Sequence, residues 1–120
     1  MNVWLLSSAF VGLMLLSGCG GGSAHYSYAK SADCFKDIGK TRTVGGATAG
    51  QAVRISADGG KTYDVLFLPS GSQAKNYAKR LDVKTGVLKT KGNAIVYGHQ
   101  TGTGPAVEER DVKEVEKCLA

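Results

Sequence analysis

The N-terminal segment, residues 1–18, constrains this chain more than any other feature, because it contains no ionisable side chain. All 15 lysines and arginines and all 10 aspartates and glutamates lie beyond it, and the net charge of +5 belongs to the rest of the 120-residue chain. That remainder is long enough for one small domain. Because 17 residues are glycine and only 8% are aromatic, we expect neither a large core nor a deep substrate cavity.

The first segment has the pattern of a signal peptide. Its apolar stretch, residues 4–16, is shorter than the ~20 apolar residues that span a bilayer. It ends in Leu16-Ser17-Gly18-Cys19, which resembles the lipobox that a type II signal peptidase cleaves in bacterial lipoproteins. The resemblance implies that residues 1–18 are removed and that Cys19 carries the lipid, although no Lys or Arg precedes the apolar stretch. An uncleaved membrane anchor is the alternative.

The position after Cys19 bears on location. Lipoproteins that stay at the inner membrane often carry Asp there, whereas this chain has Gly20. The resemblance therefore implies a lipid anchor in the outer membrane, with the protein facing the periplasm, if the host is Gram-negative. Residues 19–33 are rich in Gly and Ser and lack a hydrophobic period, which predicts a flexible tether.

The other two cysteines bracket the domain that follows, residues 34–120. If Cys19 carries lipid, Cys34 and Cys118 remain as an even pair in an oxidising compartment, which predicts a disulfide. A metal pair or a redox thiol is the competing interpretation, but neither cysteine has a His or a further Cys at ligand spacing. We expect no metal and no cofactor.

Alternating polar and apolar residues predict the strands. One hairpin joins strands over residues 51–57 and 62–68 through Asp58-Gly59-Gly60-Lys61, and a second joins 87–91 to 94–97 through Gly92-Asn93. A further strand over 40–44 precedes Gly45-Gly46.

Two segments have helical patterns. A short amphipathic helix, with Ser70 or Ser72 as N-cap, is predicted by apolar residues spaced i, i+3, i+4 and i+7, namely Ala74, Tyr77, Ala78 and Leu81. A second helix is predicted from Pro105 to about Leu119, with acidic residues early and lysines late, and a terminal strand is the alternative there.

The order of these elements indicates a small β-rich α+β domain, made of antiparallel hairpins and one or two short helices. Three strands, a helix and two strands follow one another as in an OB-type barrel. An OB-like barrel and an open antiparallel sheet packed on helices both fit this order.

No set of residues has the pattern of an active site. His99 follows a predicted strand and is interpreted as a solvated loop residue. The glycine-rich residues 45–50 lack the Gly-Lys-Ser/Thr ending of a phosphate-binding loop. The paired carboxylates Glu108, Glu109 and Asp111 fit the exposed start of a helix. The sequence therefore predicts a protein that is not an enzyme.

A basic cluster offers a candidate binding surface. Lys75, Lys79 and Arg80 share the polar side of the first predicted helix. They are the candidate site for an anionic partner, either lipid head groups, an envelope glycan or an acidic protein surface, and a solvated lysine-rich surface is the alternative. Nucleic acid is not an expected partner of an exported lipoprotein.

A second resemblance concerns the domain. Cys34, Cys118, Pro69-Ser70-Gly71-Ser72 and Lys91-Gly92-Asn93-Ala94 are similar to the terminal cysteines, Ser-Gly loop and Lys-Gly turn of bacterial membrane-bound lysozyme inhibitors. The similarity implies an inhibitor, but the helix after Gly71 and the +5 charge depart from what would suit a basic lysozyme.

Together these patterns favour a non-enzymatic accessory or binding module anchored at the bacterial envelope. The alternative is an inhibitor or exclusion lipoprotein that blocks an envelope hydrolase or an incoming phage or plasmid.

Overall fold

The computed structural model describes residues 24–44, 51–81 and 83–120. The helices in this part of the chain are α1 (Tyr28–Ile38), α2 (Gly71–Arg80) and α3 (Glu109–Glu116). The strands are β1 (Lys40–Val44), β2 (Gln51–Ser56), β3 (Lys61–Phe67), β4 (Val87–Lys91) and β5 (Ala94–Gln100), and a short 3₁₀ turn, Asp58–Gly60, joins β2 to β3. The strands form one antiparallel sheet in the order β1-β2-β3-β5-β4. The predicted small β-rich α+β fold is confirmed.

The sheet is open rather than closed into a barrel. β1 and β4 lie at its two edges, and in the described residues no pairing joins them. Helices pack on the sheet instead, with α1 against β1 and β2, α3 against β4 and β5, and α2 also against β4 and β5. The order of elements is the one expected, and of the two arrangements that fit it the described residues form the open sheet, with helices covering its apolar side chains.

The predicted hairpins are confirmed, and their alternation of side chains explains the core. Val53 and Ile55 on β2 are fully buried, and they pair with Val65 and Tyr63 on β3. Arg54, between them, projects to the other face of the sheet. The second hairpin turns at Gly92-Asn93, where Gly92 has a φ of 56°, a value that favours glycine at the first central position of a tight turn.

The main core lies between the sheet and the two helices α1 and α3. Phe35 of α1 is fully buried, and its ring centroid is 6.4 Å from that of Phe67. Val112 and Val115 of α3 complete this core. Gly98 of β5 allows the close approach, because a Cβ there would come within 2.7 Å of Val107 Cγ1. Burial of one side chain as large as Phe35 stabilises the fold by about 2–3 kcal/mol.

A smaller cluster forms on the opposite face, beneath α2. Its buried members are Leu68, Ala74 and Ile95. The prediction of α2 and its cap is confirmed, since Ser70 Oγ accepts the Gln73 backbone N–H at 3.2 Å. α2 covers only the part of this face around Ile95 and leaves the rest of it open.

The predicted flexible tether over residues 19–33 is wrong where the chain is described. Tyr28 begins α1, and Ser27 caps it by accepting the Lys30 backbone N–H at 3.3 Å. Ser27 N also donates to the carbonyl oxygen of Ala120 at 2.9 Å. The N-cap and these contacts outweigh the low hydrophobicity on which the tether prediction rested. Residues 19–23 lie outside the described part of the chain.

Asn93 ties the N-terminal end of the domain to the sheet. Its side chain is fully buried. Asn93 Oδ1 accepts the Tyr26 N–H at 2.5 Å, and Nδ2 donates to the carbonyl oxygens of Tyr26 at 3.0 Å and of Leu68 at 2.9 Å. One buried amide therefore satisfies backbone groups from two distant segments.

The C-terminal segment is helical, as predicted, but the helix is shorter than residues 105–119. α3 begins at Glu109 because Asp111 Oδ2 accepts the Glu108 backbone N–H at 2.9 Å, which caps the helix start. Asp111 also pairs with Lys61 Nζ at 3.0 Å. The hydrogen bond from Glu108, and then the Lys61 ammonium, hold the pKa of Asp111 below its usual range.

Cys34 and Cys118 form the predicted disulfide, with their Cα atoms 5.3 Å apart across 84 residues of sequence. Cys34 lies on α1, and Cys118 follows α3. The bond therefore joins the two helices that cover one face of the sheet.

Replacing Asn93 by alanine should lower the free energy of unfolding by about 2–4 kcal/mol, because it leaves buried backbone groups of Tyr26 and Leu68 without partners. Urea unfolding measures this. Asn76→Ala is the control, since Asn76 is exposed on α2 and its replacement should change stability by less than about 0.5 kcal/mol. Equal effects of the two changes would contradict the role of Asn93.

Replacing Asp111 by alanine should lower the free energy of unfolding by about 1 kcal/mol at neutral pH. Because folding depresses this pKa, the stabilisation is present above the unfolded-state pKa of about 3.9 and is lost as the pH falls through the folded-state value. The difference between wild type and Asp111→Ala should therefore shrink below about pH 4, as followed by thermal unfolding across pH.

The control for the Asp111 experiment is Asp37→Ala, which removes the same charge from an exposed position on α1. A difference between wild type and Asp111→Ala that stayed constant down to about pH 2 would show that the carboxylate does not supply the stabilisation.

Candidate functional site

The uncovered part of the sheet carries a row of polar side chains. Arg42, Arg54, Asp64 and Tyr97 are opposite one another on β1, β2, β3 and β5. Residues in register on neighbouring strands project to the same face. The face is the one that α2 packs against, since Leu66 and Ile95 occupy it two positions further along β3 and β5.

We call this surface the polar sheet face. It comprises Lys40, Arg42, Arg54, Asp64, Tyr97 and His99. Lys40 and His99 join the row because they lie two residues from Arg42 and Tyr97 on their strands.

Asp64 organises the centre of this face. Its Oδ1 accepts Arg54 Nε at 2.7 Å and its Oδ2 accepts Arg54 Nη2 at 3.3 Å, which is a two-pronged ion pair. His99 Nε2 lies 3.2 Å from Asp64 Oδ2. The hydrogen bond and charge of Asp64 raise the pKa of the Arg54 guanidinium above its ordinary value. The pair is thereby held in one orientation, although Arg54 remains 41% exposed.

Tyr97 and His99 form an aromatic platform beside this ion pair. Their rings stack with centroids 4.7 Å apart and planes 15° from parallel. Tyr97 Oη donates to the carbonyl oxygen of Thr85 at 2.8 Å, which fixes the outer end of the ring. The interpretation of His99 as a solvated loop residue is wrong, because His99 lies within β5 and its side chain is only 20% exposed.

The face carries more positive than negative charge. Lys40 and Arg42 are exposed, and within the described residues neither makes an ion pair. Arg42 lies directly opposite Arg54. The nearby carboxylate of Asp64 is already paired with Arg54 and is not paired with Arg42. Like charges placed opposite on neighbouring strands destabilise a sheet, so this face is suited to an anion.

The predicted basic cluster Lys75, Lys79 and Arg80 is exposed on α2. The Arg80 guanidinium lies 5.7 Å from the centroid of the Tyr77 ring, a cation–π contact that holds it against the helix. Because α2 packs on the same face of the sheet, the cluster adds positive charge to the same side of the molecule as Arg42.

The other polar residues singled out in the sequence have structural roles. Asp111 caps α3 and pairs with Lys61, and Glu109 pairs with Lys89 at 3.3 Å. In the described part of the chain no three His, Cys, Asp or Glu residues are grouped so as to hold a metal ion. Cys19 and the glycine-rich residues 45–50 lie outside the described residues.

The two segments that resemble lysozyme inhibitors come together at one end of the sheet. Leu68 N donates to the carbonyl oxygen of Asn93 at 2.8 Å, so residues 69–72 lie beside the Lys91–Ala94 turn. There, however, Ser70 caps α2 and the Asn93 side chain is buried. A cleft of about 230 Å³ at this end is lined by Tyr26, Phe67, Pro69 and Asn93 among others.

Sequence reasoning missed the polar sheet face. The alternation of β2 places Arg54 on the outward side, but its partners are far away in sequence on other strands. Only the register of the sheet brings Asp64 and His99 to it. The outward polar positions of the predicted strands were the one signal that could have indicated such a surface.

Among the helices of the described residues, none combines the length and the apolar character needed to cross a membrane. Comparison of the chain with protein-family models, with curated proteins and with solved structures finds no match.

Proposed function

We propose that the protein is a bacterial envelope lipoprotein, anchored by lipid on Cys19, whose folded domain is a non-enzymatic binding module at the membrane surface. The observation that carries this proposal is the use of the cysteines. The chain has three, and Cys34 and Cys118 are joined to each other. The remaining one is Cys19, which stands at the end of the lipobox-like tetrapeptide.

The disulfide also supports export. Disulfides persist in oxidising compartments such as the periplasm and are rare in the reducing cytosol. A signal-peptide-like segment and a disulfide-bonded domain are therefore consistent with the same location outside the cytosol. With Gly20 after Cys19, the location that we propose is the periplasmic face of the outer membrane in a Gram-negative host.

The polar sheet face supports binding as the role of the domain. It is an open surface on a five-stranded sheet, and it presents charge and aromatic area together. Asp64, Arg54 and His99 hold one another in place, which suits a preorganised recognition surface. The cluster Lys75, Lys79 and Arg80 supports an anionic partner, whether a head group, a glycan or an acidic protein surface.

The inhibitor or exclusion role is supported less well. Its two segments are adjacent, but the side chains that would engage an enzyme, Ser70 and Asn93, are used within the fold. A chain with a net charge of +5 is also poorly matched to a basic lysozyme.

Replacing Cys19 by serine should abolish lipid attachment and leave uncleaved precursor, because the thiol receives the diacylglyceryl group before cleavage. Mass spectrometry of the purified protein and extraction of membranes with high salt measure the two effects. The wild-type chain should stay with the membrane and carry a modified N-terminal Cys19.

Ser17→Ala is the matched control, since it keeps a small residue before the cysteine and should leave processing unchanged. A wild-type protein with a free, unmodified thiol at Cys19 would overturn the anchor.

Replacing Cys34 or Cys118 by serine should leave the anchor in place but lower the free energy of unfolding by about 2–5 kcal/mol. The double change should cost about as much as either single one, because both remove the same bond. Urea unfolding of the three variants measures this, with Cys19→Ser as the control whose domain stability should match wild type. Additive effects of the two single changes would contradict the bridge.

A further inference from the structure

In the part of the chain that the structure describes, the outer edge of β1 is unpaired. β1 is the last strand on its side of the sheet and pairs only with β2 in the described residues. Its alternate backbone N–H and C=O groups therefore point away from the sheet. A free edge of this kind is a template for a strand from another chain.

The side chains of this edge select what can pair with it. Lys40 and Arg42 project to the polar sheet face, whereas Thr41 and Thr43 project to the face that α1 packs against. Arg42 faces Arg54 across β1 and β2, and Asp64 is already occupied by Arg54. A carboxylate on the outer side of β1 would give Arg42 the partner that the sheet itself does not provide.

We propose that β1 accepts an acidic, extended segment of a partner protein as an added antiparallel strand. Residues two apart on that strand would lie opposite Lys40 and Arg42, so the segment carries carboxylates at alternate positions. Backbone hydrogen bonds provide affinity in this arrangement, and the paired charges provide specificity.

A second copy of this chain is a poor occupant of the edge. Pairing β1 with the β1 of another copy would bring Lys40 and Arg42 of both chains together on one face, and like charges across strands repel. An acidic strand would instead place carboxylates opposite Lys40 and Arg42, and opposite charges across strands attract. The basic cluster on α2 lies on the same side of the sheet and would accelerate its approach, which makes binding sensitive to salt.

This inference names a partner class for the binding module proposed above and rests on that proposal for its setting. Strand pairing at β1 does not depend on the lipid. The peptide experiment can therefore fail while the Cys19 experiment succeeds, and the Cys19 experiment can fail while the peptide binds.

The test uses the full chain in mild nonionic detergent and a synthetic octapeptide that alternates Glu with Val and Thr. Fluorescence anisotropy of the labelled peptide measures affinity, and amide hydrogen exchange locates the contact. We expect saturable binding, slower exchange at residues 40–44, and weaker binding when the salt rises from about 50 mM to about 500 mM. Arg42→Glu should weaken binding by about tenfold or more.

Lys113→Glu is the matched control, since it makes the same change of charge at an exposed position of α3, on the other face of the sheet, and should weaken binding by less than about threefold. Arg42→Gln provides a second variant that removes the charge without reversing it, and its affinity should lie between wild type and Arg42→Glu. A peptide with Gln in place of Glu should bind about tenfold more weakly or worse.

The proposal is overturned by no saturable binding up to about millimolar peptide, the weak end of specific recognition. Equal losses in Arg42→Glu and Lys113→Glu would also overturn it, because they would indicate a diffuse charge effect. Peptide-induced slowing of amide hydrogen exchange outside residues 40–44 and not within them would overturn the proposal too. Tighter binding of a single-stranded oligonucleotide than of the acidic peptide would also overturn it.

Discussion

The bond between Cys34 and Cys118 sets the plan of this domain, because it commits two of the three described helices to one face of the sheet. α1 and α3 lie at opposite ends of the described sequence and cover the same apolar face of the sheet, against which Phe35 and Val112 are buried. α2 alone is left for the other face, and a helix of 10 residues covers only part of five strands. The open surface therefore results from the placement of the helices, with two on one face of the sheet and one on the other.

Much of the fold was predictable because its signals are local. The strict alternation around Val53 and Ile55 and the spacing of Ala74 and Tyr77 depend only on neighbouring residues. α1 was not predicted, since it has a single fully buried apolar side chain, Phe35, and its helix depends on the Ser27 cap and on tertiary burial. Propensity is a weak guide where packing decides.

The candidate site was predictable only in part. The basic positions on α2 follow from helical spacing and are exposed as expected. The polar sheet face combines residues from four strands, and no spacing in the sequence relates Arg54 to Asp64 or His99 to either. Pairing register, which depends on the whole buried pattern, determines which outward side chains meet. The candidate surface in this fold is distributed over the sheet, whereas the two segments that resemble lysozyme inhibitors lie together at one end of it.

If Cys19 carries the proposed lipid, the attachment of Tyr26 to Asn93 sets the greatest distance between that lipid and the folded domain. Residues 20–25 lie between the two points, and the seven peptide units that join them span at most about 25 Å when fully extended. This short connecting segment would keep the Asn93 end of the sheet near the lipid head groups. The strands would extend from that end away from the membrane. A partner would then have to approach the membrane to reach β1.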